Sequence, residues 1–255
     1  MICFTCDLDW ASDAVLADTL QLFSDVGIPC TLFATHATPL LRNPGFSVEV
    51  ALHPNFNPLL EGTGDTTACA VVQSLQAHYP EALGVRSHSL TSSSRLSGMF
   101  REQGMVYEAN TFLPYATGLH PVPLWNGLLR IPFNWEDDVH ALFGRPFDQV
   151  GLDLSKGLNI LNFHPIHIFL NTESILRYEA ARPCLSNPSD LLAMRNRTGT
   201  PGVRDLLLTL LGEVQAQGHQ TLRLIDLAQC PDPAHLGDGN QMSADGGSPE
   251  ATRHD

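Results

Sequence analysis

Residues 2–35 read ICFTCDLDWASDAVLADTLQLFSDVGIPCTLFAT, a strand, a helix and a second strand in succession. Ile2 to Leu8 forms the first strand. Ser12 and Asp13 then open a helix whose Leu16, Leu20 and Phe23 fall on one face, and Gly27 and Pro29 close it. IPCTLFAT follows as a second strand of the same apolar character. Strands that alternate apolar and polar residues belong to sheets with one wet face, whereas continuous apolar strands belong to parallel sheets covered on both faces by helices. A β-α-β opening built from such strands predicts an α/β fold.

Further strands are expected at Phe46 to Leu52, Leu83 to Arg86, Met105 to Glu108, Leu128 to Ile131 and Leu158 to Phe163, with helical stretches between several of them. Thr200 and Pro201 start an amphipathic helix over VRDLLLTLLGEVQAQ that ends at Gly218, and TLRLIDL (221–227) reads as a last strand. About seven or eight strands around one core fit a single domain over residues 1–230. From Pro231 to Asp255 the chain is rich in Gly, Pro, Asp and Ser and nearly devoid of apolar residues, which predicts a disordered acidic tail.

The 255 residues carry 27 acids against 14 bases, a formal charge of −13, and Lys156 is the single lysine. This balance argues against a nucleic-acid or anionic-membrane surface and leaves small or carbohydrate substrates open. No apolar run approaches the roughly 18–20 residues of a membrane span, and the first residues show neither the basic region nor the apolar stretch of a signal peptide. The expectation is a soluble cytoplasmic protein. Six cysteines, at 3, 6, 30, 69, 184 and 230, are scattered along the chain. Cys3 and Cys6 are spaced C-x-x-C, but residues three apart on a strand point to opposite faces, so neither a disulfide nor a shared zinc is expected between them.

Side chains capable of chemistry recur where the strands end. FTCDLDW (4–10) holds Asp7 and Asp9, VALHPNFN (50–57) holds His53, and GVRSHS (84–89) holds Arg86 and His88. RIPFNWEDDVH (130–140) adds Trp135, Asp137 and Asp138, and NILNFHPIH (159–167) adds His164 and His167. In a parallel barrel the strand C-termini converge on one rim, where such residues meet. Two carboxylates at the end of a buried strand need compensation, because taking an ionised group out of water costs several kcal/mol. Asp7 and Asp9 share a face if the strand persists, and a divalent cation would relieve their repulsion. A carboxylate plus two imidazoles, with positions left for water, is the ligand set of hydrolytic zinc, cobalt, iron or nickel sites. Arg86 could hold the second carboxylate ionised.

Taken singly, these residues have ordinary readings. Asp9 could cap the next helix, although Ser12 and Asp13 are better placed. His53 and His164 precede prolines and could merely end strands. The run SHSLTSSS around His88 is also what a polar loop looks like, and Asp137 and Asp138 suit the start of a helix. Trp10 and Trp135 could stack on a sugar ring, and His167 could line a cleft. The group as a whole favours a site.

The order D-x-D, H, R-S-H, W-x-D-D and F-H-P, over roughly residues 2–170, resembles the polysaccharide deacetylase family and, within it, the WbmS-like branch met in bacterial surface-polysaccharide gene clusters. The resemblance implies a distorted (β/α) barrel of about seven parallel strands. It implies one divalent metal, zinc first, with cobalt, nickel, iron or manganese as alternatives. The implied reaction removes an N-acetyl group from an amino sugar of a surface polysaccharide or its precursor. Carried over by position, it implies Asp7 as general base, Asp9 and His53 as metal ligands, Arg86 as the group that holds Asp7, and His164 as general acid, oriented by Asp137 or Asp138.

The chain departs from the family pattern twice. The usual adjacent aspartates are split by Leu8, which leaves open which of Asp7 and Asp9 is base and which is ligand. The usual second metal histidine, four residues after the first, is Asn57, with Pro54 between. His88 is the expected replacement, since one histidine alone would hold a borderline metal poorly. Two other readings stand beside the deacetylase. One is hydrolysis of a different amide, such as an N-formyl group or a cyclic ureide. The other is a glycan-binding barrel without catalysis, against which the base, acid and arginine argue.

Overall fold

The computed structural model describes residues 1–42 and 47–230. Among these residues the strands are β1 (Ile2–Asp7), β2 (Cys30–Ala34), β3 (Val48–Leu52), β4 (Gly84–Val85), β5 (Tyr107–Glu108), β6 (Val122–Pro123), β7 (Leu129–Arg130), β8 (Trp135–Glu136) and β9 (Asn159–Phe163). They form one sheet in the order β6-β7-β5-β4-β3-β2-β1-β9-β8. All pairings are parallel except β6 with β7. The helices are α1 (Asp13–Val26), α2 (Asn57–Leu60), α3 (Ala68–Gln76), α4 (Ser94–Glu102), α5 (Asp137–Leu142), α6 (Pro165–Leu170), α7 (Ile175–Ala181), α8 (Pro188–Ala193), α9 (Val203–Gln217) and α10 (Leu224–Ala228). The sheet curls into a half-barrel within one α/β domain, the distorted-barrel class that the β-α-β opening and the family resemblance lead to. Phe46, expected to begin β3, and the expected tail at 231–255 lie outside the described residues.

Strand alternation splits the core in two. Phe4, Cys6, Leu32, Leu52 and Leu161 face outward into a cluster with Leu16 and Phe23 of α1, Val72 of α3 and Leu207 of α9. Cys3, Phe33, Ala51, Tyr107, Phe133 and Ile160 lie on the other face. That face is concave: the Arg86 guanidinium sits 4.2 Å from the Phe33 ring and 4.3 Å from the Phe133 ring, which come from either side of β4. Cys3 and Cys6 thus point apart, and all six cysteines are free. α1 and α9 end where the glycines stand, with Gly27 at φ 65° and Gly218 at φ 66°, left-handed values that let each chain turn back toward the sheet.

The last expected strand is a helix. Thr221 makes one bridge to Ile2, and the chain then coils into α10. Asp226 accepts from the Arg223 backbone N–H at 2.9 Å, while the N–H groups of Leu224 and Ile225 donate to Thr31 Oγ1 and Glu49 Oε2, both at 2.9 Å. Buried acceptors on the sheet therefore satisfy the free N–H groups of a helix start, a partner that apolar periodicity cannot reveal. α10 buries Leu224, Ile225 and Leu227 against the concave face, at the end remote from Asp7. No helix among the described residues is long and apolar enough to cross a membrane.

Candidate active site

Parallel pairing puts the strand C-termini on one rim. Asp7 is the last residue of β1, His53 follows β3, Arg86 follows β4, Glu136 ends β8 and His164 follows β9. Beyond Asp7 the strand does not persist. Asp9 at φ 43° and Trp10 at φ 58° adopt left-handed conformations that cost non-glycine residues about 1–3 kcal/mol each. A hydrogen bond from the Trp10 N–H to Thr35 Oγ1 at 3.0 Å holds the turn. The two aspartates therefore meet the same cavity through this turn, not through the shared strand face expected from their spacing.

Asp9 gathers the imidazoles. Its Oδ1 lies 3.3 Å from His53 Nε2 and 3.0 Å from His88 Nδ1, and its Oδ2 lies 3.7 Å from His164 Nε2. Burial pushes the Asp9 carboxyl up, but its bonds to His53 and His88 outweigh burial and hold it below the usual carboxylate range. His53 is positioned by its backbone N–H on Ala34 O at 2.8 Å, and His88 by its N–H on Pro54 O at 3.0 Å. Asn57 does not join them: it opens α2 and donates to Ser89 Oγ at 3.1 Å.

Asp9, His53 and His88 each offer a ligand atom, and these atoms lie within 4.8 Å of one another. One carboxylate and two imidazoles converging on a point, partly open to solvent, is a donor set suited to a divalent cation. His53 Nδ1 is buried without a hydrogen-bond partner among the described residues. The residues present therefore fit a metal.

Asp7 sits in a drier network. Arg86 Nη1 donates to Asp7 Oδ1 at 3.0 Å, to Thr5 Oγ1 at 3.1 Å and to Asn162 Oδ1 at 2.6 Å. Asn162 Nδ2 in turn donates to Asp7 Oδ2 at 3.0 Å and to Glu136 Oε1 at 2.9 Å. Burial raises the Asp7 pKa, and the positive charge of Arg86, with His53 and His164, more than reverses it. Glu136 accepts from Asn162, and burial together with the Asp138 charge outweighs the nearby His164 and pushes it up to about 8. Asp7 is thus the carboxylate of this pair held ionised through neutral pH.

His164 faces Asp7 and Asp9 with its back to a carboxylate. Asp137 Oδ1 is 2.6 Å from His164 Nδ1, and Asp137 Oδ2 accepts the His164 backbone N–H at 2.7 Å. Burial lowers the imidazole pKa, but Asp137 overrides it and holds the ring protonated well above its ordinary range. Asp138 instead accepts the Val139 N–H at 2.5 Å, so of the two aspartates Asp137 is the one that contacts His164. His167 is buried beside them with Nδ1 3.1 Å from Thr172 Oγ1, and burial lowers its pKa. Trp135 is no sugar platform: it is 1% exposed, and its indole N–H donates to His140 Nδ1 at 3.0 Å. Trp10, half exposed beside His88, is free to serve as one.

Sequence reasoning missed Thr5, Asn162 and Glu136. The first two carry a signal in retrospect, since each is a polar residue inside an otherwise apolar strand and on the same parity as a site residue, Thr5 with Asp7 and Asn162 with His164. Glu136 was hidden by the two aspartates that follow it.

A curled, mostly parallel sheet with a carboxylate–histidine cluster on its C-terminal rim is a distorted α/β barrel with its candidate site at the strand ends. The model for the WbmS-like family, polysaccharide deacetylases, matches residues 4–182. The crystal structure of WbmS from Bordetella bronchiseptica, which carries the description of a polysaccharide deacetylase involved in O-antigen biosynthesis, is 40% identical. It covers 83% of this chain and 90% of that one, with a TM-score of 0.76. The chain belongs to the WbmS-like polysaccharide deacetylase family. A family 4 carbohydrate esterase from Bacillus anthracis is similar in fold at 13% identity (88% of this chain, 80% of that one, TM-score 0.48). So is 4-alpha-glucanotransferase from Thermococcus litoralis at 10% identity (88% and 37%, TM-score 0.50). No curated protein matches the chain.

Proposed function

We propose that the protein is a metal-dependent deacetylase that hydrolyses the N-acetyl group of an amino sugar in a bacterial surface polysaccharide or its precursor. One observation carries this reading: Asp7, paired with Arg86, and His164, backed by Asp137, face one cavity beside the Asp9, His53 and His88 cluster. Families of environments that push two groups apart in this way set up base and acid at the same pH. The O-antigen role described for WbmS supports the substrate class.

Asp9, His53 and His88 would hold the cation, zinc first, which when bound polarises the acyl carbonyl and acidifies water. Asp7 takes the proton of the attacking water as the C–O bond forms. Arg86 and Asn162 keep that carboxylate aimed through the step. The tetrahedral intermediate then collapses: the C–N bond breaks, and His164 Nε2 gives its proton to the leaving nitrogen. Acetate and a free amino sugar result. Asp137 holds His164 in the tautomer and orientation that this transfer needs.

The test is metal analysis of the purified protein together with acetate release over a panel of N-acetylated sugars. Stoichiometric metal and acetate release are expected. Release of formate from N-formyl sugars, with none of acetate, would transfer the same machinery to a deformylase, and binding of glycan without any release would leave a non-catalytic barrel.

A further inference from the structure

The cavity of about 260 Å³ that adjoins the Asp9, His53 and His88 cluster is lined by a second convergent set of donors, Asp7, Glu136 and His164. Each offers one ligand atom, and these atoms lie within 4.8 Å of one another. All three residues are more than nine-tenths buried. Asp7 accepts one hydrogen bond on each oxygen, from Arg86 and from Asn162, and a carboxylate has about four acceptor positions, so it is not saturated. Glu136 accepts from Asn162 on Oε1 at 2.9 Å, while its Oε2 accepts no hydrogen bond among the described residues. His164 keeps Nδ1 on Asp137, which leaves Nε2 as the atom it offers. A carboxylate behind an imidazole is the arrangement that orients metal-binding histidines and strengthens their bond to the ion.

The two donor sets adjoin through Asp9. Its Oδ1 lies 3.3 Å from His53 Nε2 and 3.0 Å from His88 Nδ1, and its Oδ2 lies 3.7 Å from His164 Nε2, so one carboxylate faces both. A further set, Asp137 with His164 and His167, is closed by comparison. Both Asp137 oxygens are engaged there, by the His164 ring and backbone and by the Asp138 N–H, and His167 Nδ1 lies against Thr172 Oγ1. Only the set with Glu136 has donors free without breaking the contact that orients His164.

Charge fixes the order in which the two sets fill. A divalent cation beside Asp7 is attracted by that carboxylate and by those of Asp9 and Asp138, which line the same cavity. It is repelled by the Arg86 guanidinium, 3.0 Å from Asp7, and by a cation already held at Asp9, His53 and His88. It must also displace the protons carried by His164 and Glu136, which pass to the buffer. The Glu136 set is therefore the weaker of the two and fills only when metal is in excess.

We infer that Asp7, Glu136 and His164 form a second, weaker site for a divalent cation of the zinc type, and that a cation held there stops turnover. The block rests on the deacetylase reading: a cation on Asp7 takes the lone pair that receives the water proton, and one on His164 Nε2 replaces the proton that the leaving nitrogen needs. The binding itself does not depend on that reading. The same competition limits how far excess cation can restore a variant weakened at the first site.

The test is equilibrium dialysis of the full chain, loaded with one equivalent of zinc, against rising free zinc, with bound metal measured directly and acetate release scored on the same samples. A second equivalent is expected, weaker than the first. Glu136→Gln keeps an acceptor for Asn162 but loses the carboxylate, and it should weaken the second equivalent by at least about tenfold, the lower end of what losing even an outer partner of a ligand costs. His164→Ala should do the same, and retention of the first equivalent shows that each variant is folded. In the unaltered protein acetate release should fall as the second equivalent binds and return when dialysis restores one equivalent. A single equivalent at all zinc levels overturns the inference. So does a second equivalent that both variants hold at full affinity, which is an adventitious ion only, or the loss of both equivalents together in both variants, which makes the two sets one site. Turnover that holds or rises as the second equivalent fills overturns the block. Absence of acetate release at every zinc level counts against the hydrolase instead, and the dialysis still decides the second site.

Discussion

Asp7 and Asp9 are separated by a single leucine and occupy different media. Asp7 is 3% exposed, accepts from Arg86 and Asn162, and belongs to a network in which every partner comes from a strand or its immediate end. Asp9 stands on a strained turn, about a quarter of its side chain exposed, among imidazoles that leave room for a further ligand. Both carboxylates are held ionised, one by a permanent cation that cannot give up its charge and the other by histidines that can. On the proposed reading, the difference separates a proton acceptor from a cation ligand. It also gives the exchange of roles across Leu8, which spacing alone leaves open, a physical answer to be tested.

The largest effect is expected at the base. Asp7→Asn keeps the shape and the bonds to Arg86 but cannot take a proton from water, so turnover should fall by about 10²- to 10⁴-fold with metal content unchanged. Asp9→Asn should lose metal first, with activity partly restored by excess cation. Steady-state rates with metal analysis on both variants decide the matter. Metal lost in Asp7→Asn and kept in Asp9→Asn would exchange the two roles.

Removing the cation behind Asp7 is expected to reach the fold itself. Arg86 lies fully buried between Phe33 and Phe133 and also bonds the Ala109 carbonyl at 3.1 Å, so Arg86→Ala leaves both a cavity and an unpaired buried carboxylate. A loss of about 3–5 kcal/mol in denaturant unfolding is expected. Asp9→Ala, in the wetter half of the comparison, should cost far less stability in the metal-free protein. A similar cost for both would erase the distinction between the two sites.

The third prediction concerns pH. His164 stays protonated because Asp137 outweighs burial. In Asp137→Asn the largest of the charges opposing burial is gone, with Asp138 and Asp9 remaining, so the imidazolium gives up its proton at a lower pH. The alkaline limb of the rate profile should therefore move toward acid, while the acid limb set by Asp7 stays in place. A profile that merely falls in height, with both limbs unmoved, would reduce Asp137 to a structural role.

How far this arrangement was legible in sequence differs between the same two halves. The frame was readable because β1, β2, β3 and β9 are mostly apolar stretches of five or six residues, and α1 and α9 carry period and glycine stops together. β4, β5, β6, β7 and β8 are two residues long and gave weak signals or, for β6 and β8, none. The residues at strand ends, from Asp7 to His164, could be named since chemistry concentrates there. The turn at Asp9 could not, because neither aspartate nor tryptophan announces a left-handed backbone as glycine does. α10 was misread because what makes it a helix, Glu49 and Thr31 offering acceptors to its first N–H groups, comes from distant sequence.

The smallest effect belongs to the position where the family pattern is broken. If His88 replaces the histidine missing at Asn57, His88→Ala should lower metal affinity about as much as His53→Ala. That loss should be at least the roughly 10- to 100-fold that removing even an outer partner of a ligand costs. Asn57→Ala should leave affinity unchanged and shift stability by no more than about 0.5 kcal/mol, the usual scale for a surface change. The reason is positional. Pro54 and the short α2 turn Asn57 toward Ser89, where its amide makes one exposed hydrogen bond, whereas His88 begins a turn that carries its ring to within 3.0 Å of Asp9. Asn57→His sharpens the comparison, since it restores the family residue without moving the backbone. It should fail to rescue His88→Ala in a metal titration, because the position faces Ser89 and not Asp9. Rescue would mean that α2 readily swings toward the site, and that the departure from the family pattern is a choice between two interchangeable ligands.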